Sequence, residues 1–154
     1  MSKIENPHLY ILLRIEGMYL FIPQDDVVLV EIIADVHKIP SSQGEVGWFL
    51  GYGLESPVFC LANDLSFLSE VPKSCEYFIL LKADPQPLGI TCDYVENINT
   101  KREPLHMQDV PMSMIIPNSP LQQLVFYKDT MAIVCTGESL VKYLNLQLER
   151  FTKK

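Results

Sequence analysis

The chain has 154 residues, 48% hydrophobic and 20% charged, with a formal net charge of −7. That is enough for one compact domain, or two small subdomains on a shared core, without a disulfide or metal, and it is too apolar for a disordered segment. The negative balance disfavours phosphate backbones and anionic lipid surfaces as partners. The local basic spots, Lys101-Arg102 and the tail from Arg150 to Lys154, read as solvated surface.

Most of the chain reads as short strands. "LYILLRI" (Leu9–Ile15) and "MYLFIP" (Met18–Pro23) flank Glu16-Gly17, a two-residue turn whose Gly tolerates positive φ. In the first strand Leu9, Ile11, Leu13 and Ile15 share one face, and Tyr10 and Leu12 lie on the other. Both faces are apolar, which predicts packing on two sides. "VVLVEII" (Val27–Ile33) is β-branched with the single charge Glu31. "PVFCLAN" (Pro57–Asn63) reads as a strand opening on its proline. "YFILLK" (Tyr77–Lys82) and "LGITCDYVENI" (Leu88–Ile98) flank the loop ADPQP. "LHMQDVPMSMIIPNSP" (Leu105–Pro120) reads as a long loop with at most one extended piece, and "QLVFYKDTMAIVC" (Gln123–Cys135) as a hairpin turning at Lys128-Asp129. About eight strands result, the pattern of a barrel or sandwich. The tail TGESLVKYLNLQLERF reads as a helix, with Leu140, Val141, Leu144 and Leu148 on one face and Glu138 near its start.

No segment carries a catalytic signature. Cys60, Cys75, Cys92 and Cys135 match no zinc or redox spacing and are expected as buried thiols, with no metal and no cofactor. His8, His37 and His106 form no HxxxH pair. "GYG" (Gly51–Gly53) opens like a dinucleotide fingerprint, but Ser56 stands at its third glycine and a strand follows, so no helix N-terminus is there for a pyrophosphate. "GLESP" lacks the GxSxG of a nucleophile elbow, and Asp25-Asp26 after Pro23 reads as a turn. No apolar run reaches the ~18–20 residues of a membrane helix, and the opening MSKIENPHLYILLRIEG is not a signal peptide. The expectation is a cytoplasmic binding or scaffold protein, not an enzyme, with no nucleic-acid partner and no membrane insertion.

In order, these segments resemble CheW, the coupling protein of bacterial chemotaxis, and the CheW-like domain of chemotaxis histidine kinases, over about residues 8–145. The opening hairpin is similar to the family's first two strands. "VLVEI" (Val28–Ile32) resembles the V-x-E-I strand, with Glu31 in the Glu position. "IPSSQGEVGWFLGY" resembles the P-x(n)-W-x-x-G approach through Pro40, Trp48 and Gly51. "SPVFCLANDL" resembles the end of R-G-x-x-x-P-x-x-D-L through Asp64 and Leu65, and "GITCDYVENI" resembles G-x-x-V-D-x-V-x-x-I through Gly89, Asp93, Val95 and Ile98. "MAIVCTGESLV" is similar to the closing strand and short helix.

The resemblance implies a mainly β fold of two intertwined five-stranded SH3-like barrels with a short C-terminal helix. It implies one CheW-like domain over 8–145 and a helical extension over 146–154. It further implies a non-catalytic adaptor that couples a CheA-like histidine kinase regulatory domain to a chemoreceptor signalling tip or a pilus-motility array. The partner-binding residues it implies are Leu29 and Glu31 on one strand and Leu54, Glu55 and Ser56 on a loop. Trp48, Gly51, Asp64, Gly89 and Asp93 are the structural matches. The family's N-x-R-G is replaced by Leu54-Glu55-Ser56-Pro57, and Leu61 stands where the family prefers Pro. Without that Arg, whose planar fork Ser or Glu cannot reproduce, receptor coupling is expected to be weak. The alternative is a small regulatory ligand- or protein-binding β-barrel that has lost the kinase link.

Overall fold

A computed structural model describes residues 8–38, 44–114 and 119–152. Its strands are β1 (Leu9–Ile15), β2 (Met18–Pro23), β3 (Val27–Ile32), β4 (Val36–His37), β5 (Gly47–Gly51), β6 (Leu54–Leu61), β7 (Phe67–Leu68), β8 (Tyr77–Leu81), β9 (Leu88–Cys92), β10 (Tyr94–Asn99), β11 (Met107–Asp109), β12 (Gln123–Tyr127) and β13 (Thr130–Val134). Helix α1 (Gly137–Thr152) closes the chain.

Three hairpins are set by two-residue turns with positive φ at both positions: Glu16 (47°) and Gly17 (86°), Tyr52 (53°) and Gly53 (73°), Lys128 (48°) and Asp129 (61°). Such turns match the right-handed twist of the strands they join. The expected turns at Glu16-Gly17 and Lys128-Asp129 are therefore present, and GYG is a hairpin turn.

Two sheets result. One has the order β10-β1-β2-β13-β12-β11, and the other β3-β8-β9-β6-β5-β4 with β7 paired to β6. Counting only strands of five residues or more leaves five in each sheet, as expected; β4, β7 and β11 are short additions of two or three residues. The first sheet takes its strands from both ends of the chain and the second from the middle, so the two are intertwined. The run 88–98, read as one strand, is two. It breaks at Asp93, where the chain passes from β9 in the second sheet to β10 in the first.

The alternation of each strand divides its side chains between cores. Ile11, Leu13 and Ile15 of β1, Leu20 and Ile22 of β2, Phe59 and Leu61 of β6, Ile79 and Leu81 of β8, and Ile90 and Cys92 of β9 form one cluster shared by both sheets. The opposite faces form private clusters. Tyr10, Leu12 and Phe21 gather with Val125 and Tyr127 in the first sheet, and Phe49, Val58, Phe78 and Leu80 in the second. The two-sided packing expected of β1 is thus real, except that Leu9 at its start is exposed. All four cysteines are buried and free.

Helix α1 packs Leu140 and Leu144 into the shared cluster. Its first turn is held three ways. Ser139 N donates to Thr136 Oγ1 (3.0 Å), Thr136 N donates to Ser139 Oγ (3.2 Å), and Gly137 N donates to Asp26 Oδ2 (2.8 Å). The first two bonds form a reciprocal cap, with Ser in place of the usual Glu. The helix runs unbroken through residue 146, and Leu148 packs against the shared cluster. Among the described residues no helix is long and apolar enough to cross a membrane.

Candidate functional site

Strand β3 lies at one end of the second sheet's order and pairs with β8. Its burial alternates strictly. Leu29 leans against the Phe49–Phe78 cluster, while Val28 (41% exposed), Val30 (37%) and Ile32 (53%) point outward. An edge strand whose outer side takes no backbone partner among the described residues, with a row of exposed β-branched residues, is a template for another chain.

The β5–β6 turn stands beside this edge. Tyr52, 79% exposed, donates its hydroxyl to Glu31 Oε2 (3.4 Å), and its ring rests against Phe49 at 6.1 Å. Hydrogen bonding to Asp35 raises the Glu31 carboxyl above its ordinary value, desolvation and the Asp35 charge add to the rise, and the Tyr52 hydroxyl opposes it. Leu50, 50% exposed, pairs across the hairpin with exposed Glu55. The outward side chains of β3 thus form an apolar row, while Glu31, which alternates with them, stands on the Leu29 face with Tyr52 and Asp35 near it.

The expected contact residues separate on inspection. Glu55 is exposed; Glu31, Leu29 and Leu54 are half-buried, the two leucines against the second sheet's private cluster. Residues 54–56 are not a loop but the start of β6, which places Pro57 inside the strand rather than at its first position. Ser56 is fully buried, and its Oγ has no hydrogen-bond partner among the described residues. It presents nothing to a partner. The alternation of β6 turns it to the face that carries Leu54 and Val58.

The remaining matches have local structural causes. Trp48 Nε1 donates to Glu45 Oε2 (3.1 Å), and the ring stands opposite Pro57. A Cβ on Gly51 would meet Phe49 Cζ at 2.9 Å, and one on Gly89 would meet Val58 Cγ2 at 2.9 Å, so both sites require close approach. Asp64 Oδ1 accepts from Ser66 Oγ (2.6 Å) and Ser66 N (3.0 Å), and these bonds hold its carboxyl below the ordinary value. Asp93 Oδ2 accepts from Glu16 N (3.0 Å), tying the sheet crossing to the first hairpin. Pro40 lies outside the described residues.

Val28, Val30, Ile32, Leu50 and Tyr52 escape the sequence reading. The only signal for the first three is that VVLVEI has no polar face, which suits burial on both sides equally well. Among the described residues, no group of three or more His, Cys, Asp or Glu side chains could hold a metal ion.

The structure is similar to the crystal structure of the scaffolding protein TtCheW from Thermoanaerobacter tengcongensis, with a TM-score of 0.63, 18% identity and 88% of each chain covered. The fold is CheW-like. No protein-family model and no curated protein matches the sequence.

Proposed function

We propose that this chain is a non-catalytic adaptor that couples the regulatory domain of a CheA-like histidine kinase to a chemoreceptor or pilus-motility signalling array. The observation that carries the reading is the edge of β3, with Val28, Val30 and Ile32 exposed on one face and Glu31 joined to Tyr52 on the other, on a fold shared with a scaffolding protein. Strand addition at such an edge takes affinity from main-chain bonds and specificity from alternate side chains. The carboxylates of Glu31, Asp35 and Glu55 favour a partner edge that carries basic residues.

Receptor coupling is the weaker arm of this reading. The position of the family's Arg is held by Ser56, whose side chain is buried, and Glu55 beside it repels an acidic receptor tip. Titration calorimetry against the regulatory domain of a chemotaxis-type kinase tests the adaptor role. Saturable binding is expected, and heat-silent mixtures with several such domains would contradict it. Co-sedimentation with a receptor signalling fragment is expected to be weak, and strong co-sedimentation would overturn the second arm.

A further inference from the structure

The first sheet ends in an open cavity of ≈ 620 Å³ that none of the β3 residues lines and that the adaptor role does not use. It lies where β1 begins, β10 ends and β12 begins. Its floor includes Tyr10, Leu105 and Met107, and its rim includes Asp109, Gln122 and Gln123. Tyr10 is only 4% exposed, and its hydroxyl donates to Met107 Sδ at 3.5 Å. A thioether is a weak acceptor, so a strong donor is buried at the cavity wall without an oxygen or nitrogen partner among the described residues. Burial raises the phenol's pKa, which keeps it a donor at neutral pH.

The lining also selects by charge. Among the described residues no Lys or Arg lines the cavity; His8 is the one imidazole there, and Asp109 stands at its rim. Anionic ligands find no fixed counter-charge there. The amides of Gln122 and Gln123 offer both donors and acceptors, and Asp109 Oδ1 takes a long bond from Gln123 Nε2 (3.4 Å), which a ligand donor could replace. Leu105 and Met107 supply apolar surface, and a thioether packs favourably against a flat ring. The volume falls within the range of small-molecule sites.

We infer that this cavity binds an uncharged, flat, amide-bearing molecule of the nucleoside class, its base carbonyl accepting from Tyr10 Oη and its opposite edge meeting Asp109 and the two glutamines.

Ligand-observed NMR titration of the full chain with guanosine, cytidine and uridine, whose bases carry a carbonyl, each beside its monophosphate, tests this. At least one nucleoside should saturate with a dissociation constant of about 1 mM or lower, and its monophosphate should bind more weakly. Tyr10→Phe keeps the ring that packs edge-on against Phe21 and should weaken binding about tenfold. Gln122→Ala, on the exposed rim, should weaken it also without disturbing the fold. The proposal is overturned if no nucleoside saturates, if the monophosphate binds as tightly, or if both variants bind like the parent protein.

Discussion

Ser56 Oγ is a buried hydroxyl without a partner among the described residues, on the face of β6 that carries Leu54 and Val58. Burying an unpaired hydroxyl costs on the order of 1–3 kcal/mol. Ser56→Ala should therefore hold or raise the urea midpoint, and Ser56→Arg, which forces an unpaired charge into the same place, should cost about 3 kcal/mol or more. A midpoint for Ser56→Arg equal to that of the parent would mean that the position is on the surface after all. The buried thiols give a second prediction at this scale. Burial holds Cys92, with help from the Asp93 charge, and Cys135 up to about 12, against an ordinary 9.0. Above pH 9 the unfolded chain releases these protons while the folded chain keeps them. Stability is therefore fully present below about 9 and falls as pH rises towards 12, by up to about 1.4 kcal/mol per pH unit for each thiol. Urea midpoints between about pH 8 and 11 should decline, and less steeply in Cys135→Ala. A flat profile would contradict the assignment.

Helix α1 depends on a residue far away in sequence. Asp26, in the 3-10 turn after β2, accepts from Gly137 N at the helix start, a place where a carboxylate is also favoured by the helix dipole. Asp26→Ala should cost about 1 kcal/mol and Asp26→Asn less, read from urea unfolding followed by helical circular dichroism. Equal midpoints for the parent and Asp26→Ala would show that Thr136 and Ser139 suffice as the cap. Sequence reading took Asp25-Asp26 only as a turn because the bond spans more than a hundred residues, and nothing local announces such a partner. The same limit applies to the short strands. β4, β7 and β11 carry two or three residues each, too few for any period to show, and they exist because longer neighbours offer them an edge. The hairpins at Glu16-Gly17 and Lys128-Asp129 were legible from their turn residues and flanking strands, and β1 because both of its faces are apolar; the hairpin at Tyr52-Gly53 was not.

At the scale of the whole molecule, two curled sheets are held together by one cluster to which each contributes alternate side chains, with α1 laid on it. The fold class and the intertwining were legible through the order of weak family matches. The proposed docking surface was only half legible: Glu55 is exposed and Glu31 half-buried, but Ser56 is buried, and the exposed row of Val28, Val30 and Ile32 is revealed only once β3 is known to lie at an edge. The adaptor reading rests on that edge, and amide hydrogen exchange tests it most directly. Exchange would be followed over the whole chain, alone and with a saturating kinase regulatory domain. The account predicts slowed exchange in residues 27–32 and in the β5–β6 turn, with the β12–β13 hairpin unchanged, and loss of that protection in Ile32→Lys. Protection confined to other strands, with β3 exchanging as freely in the complex as alone, would contradict it.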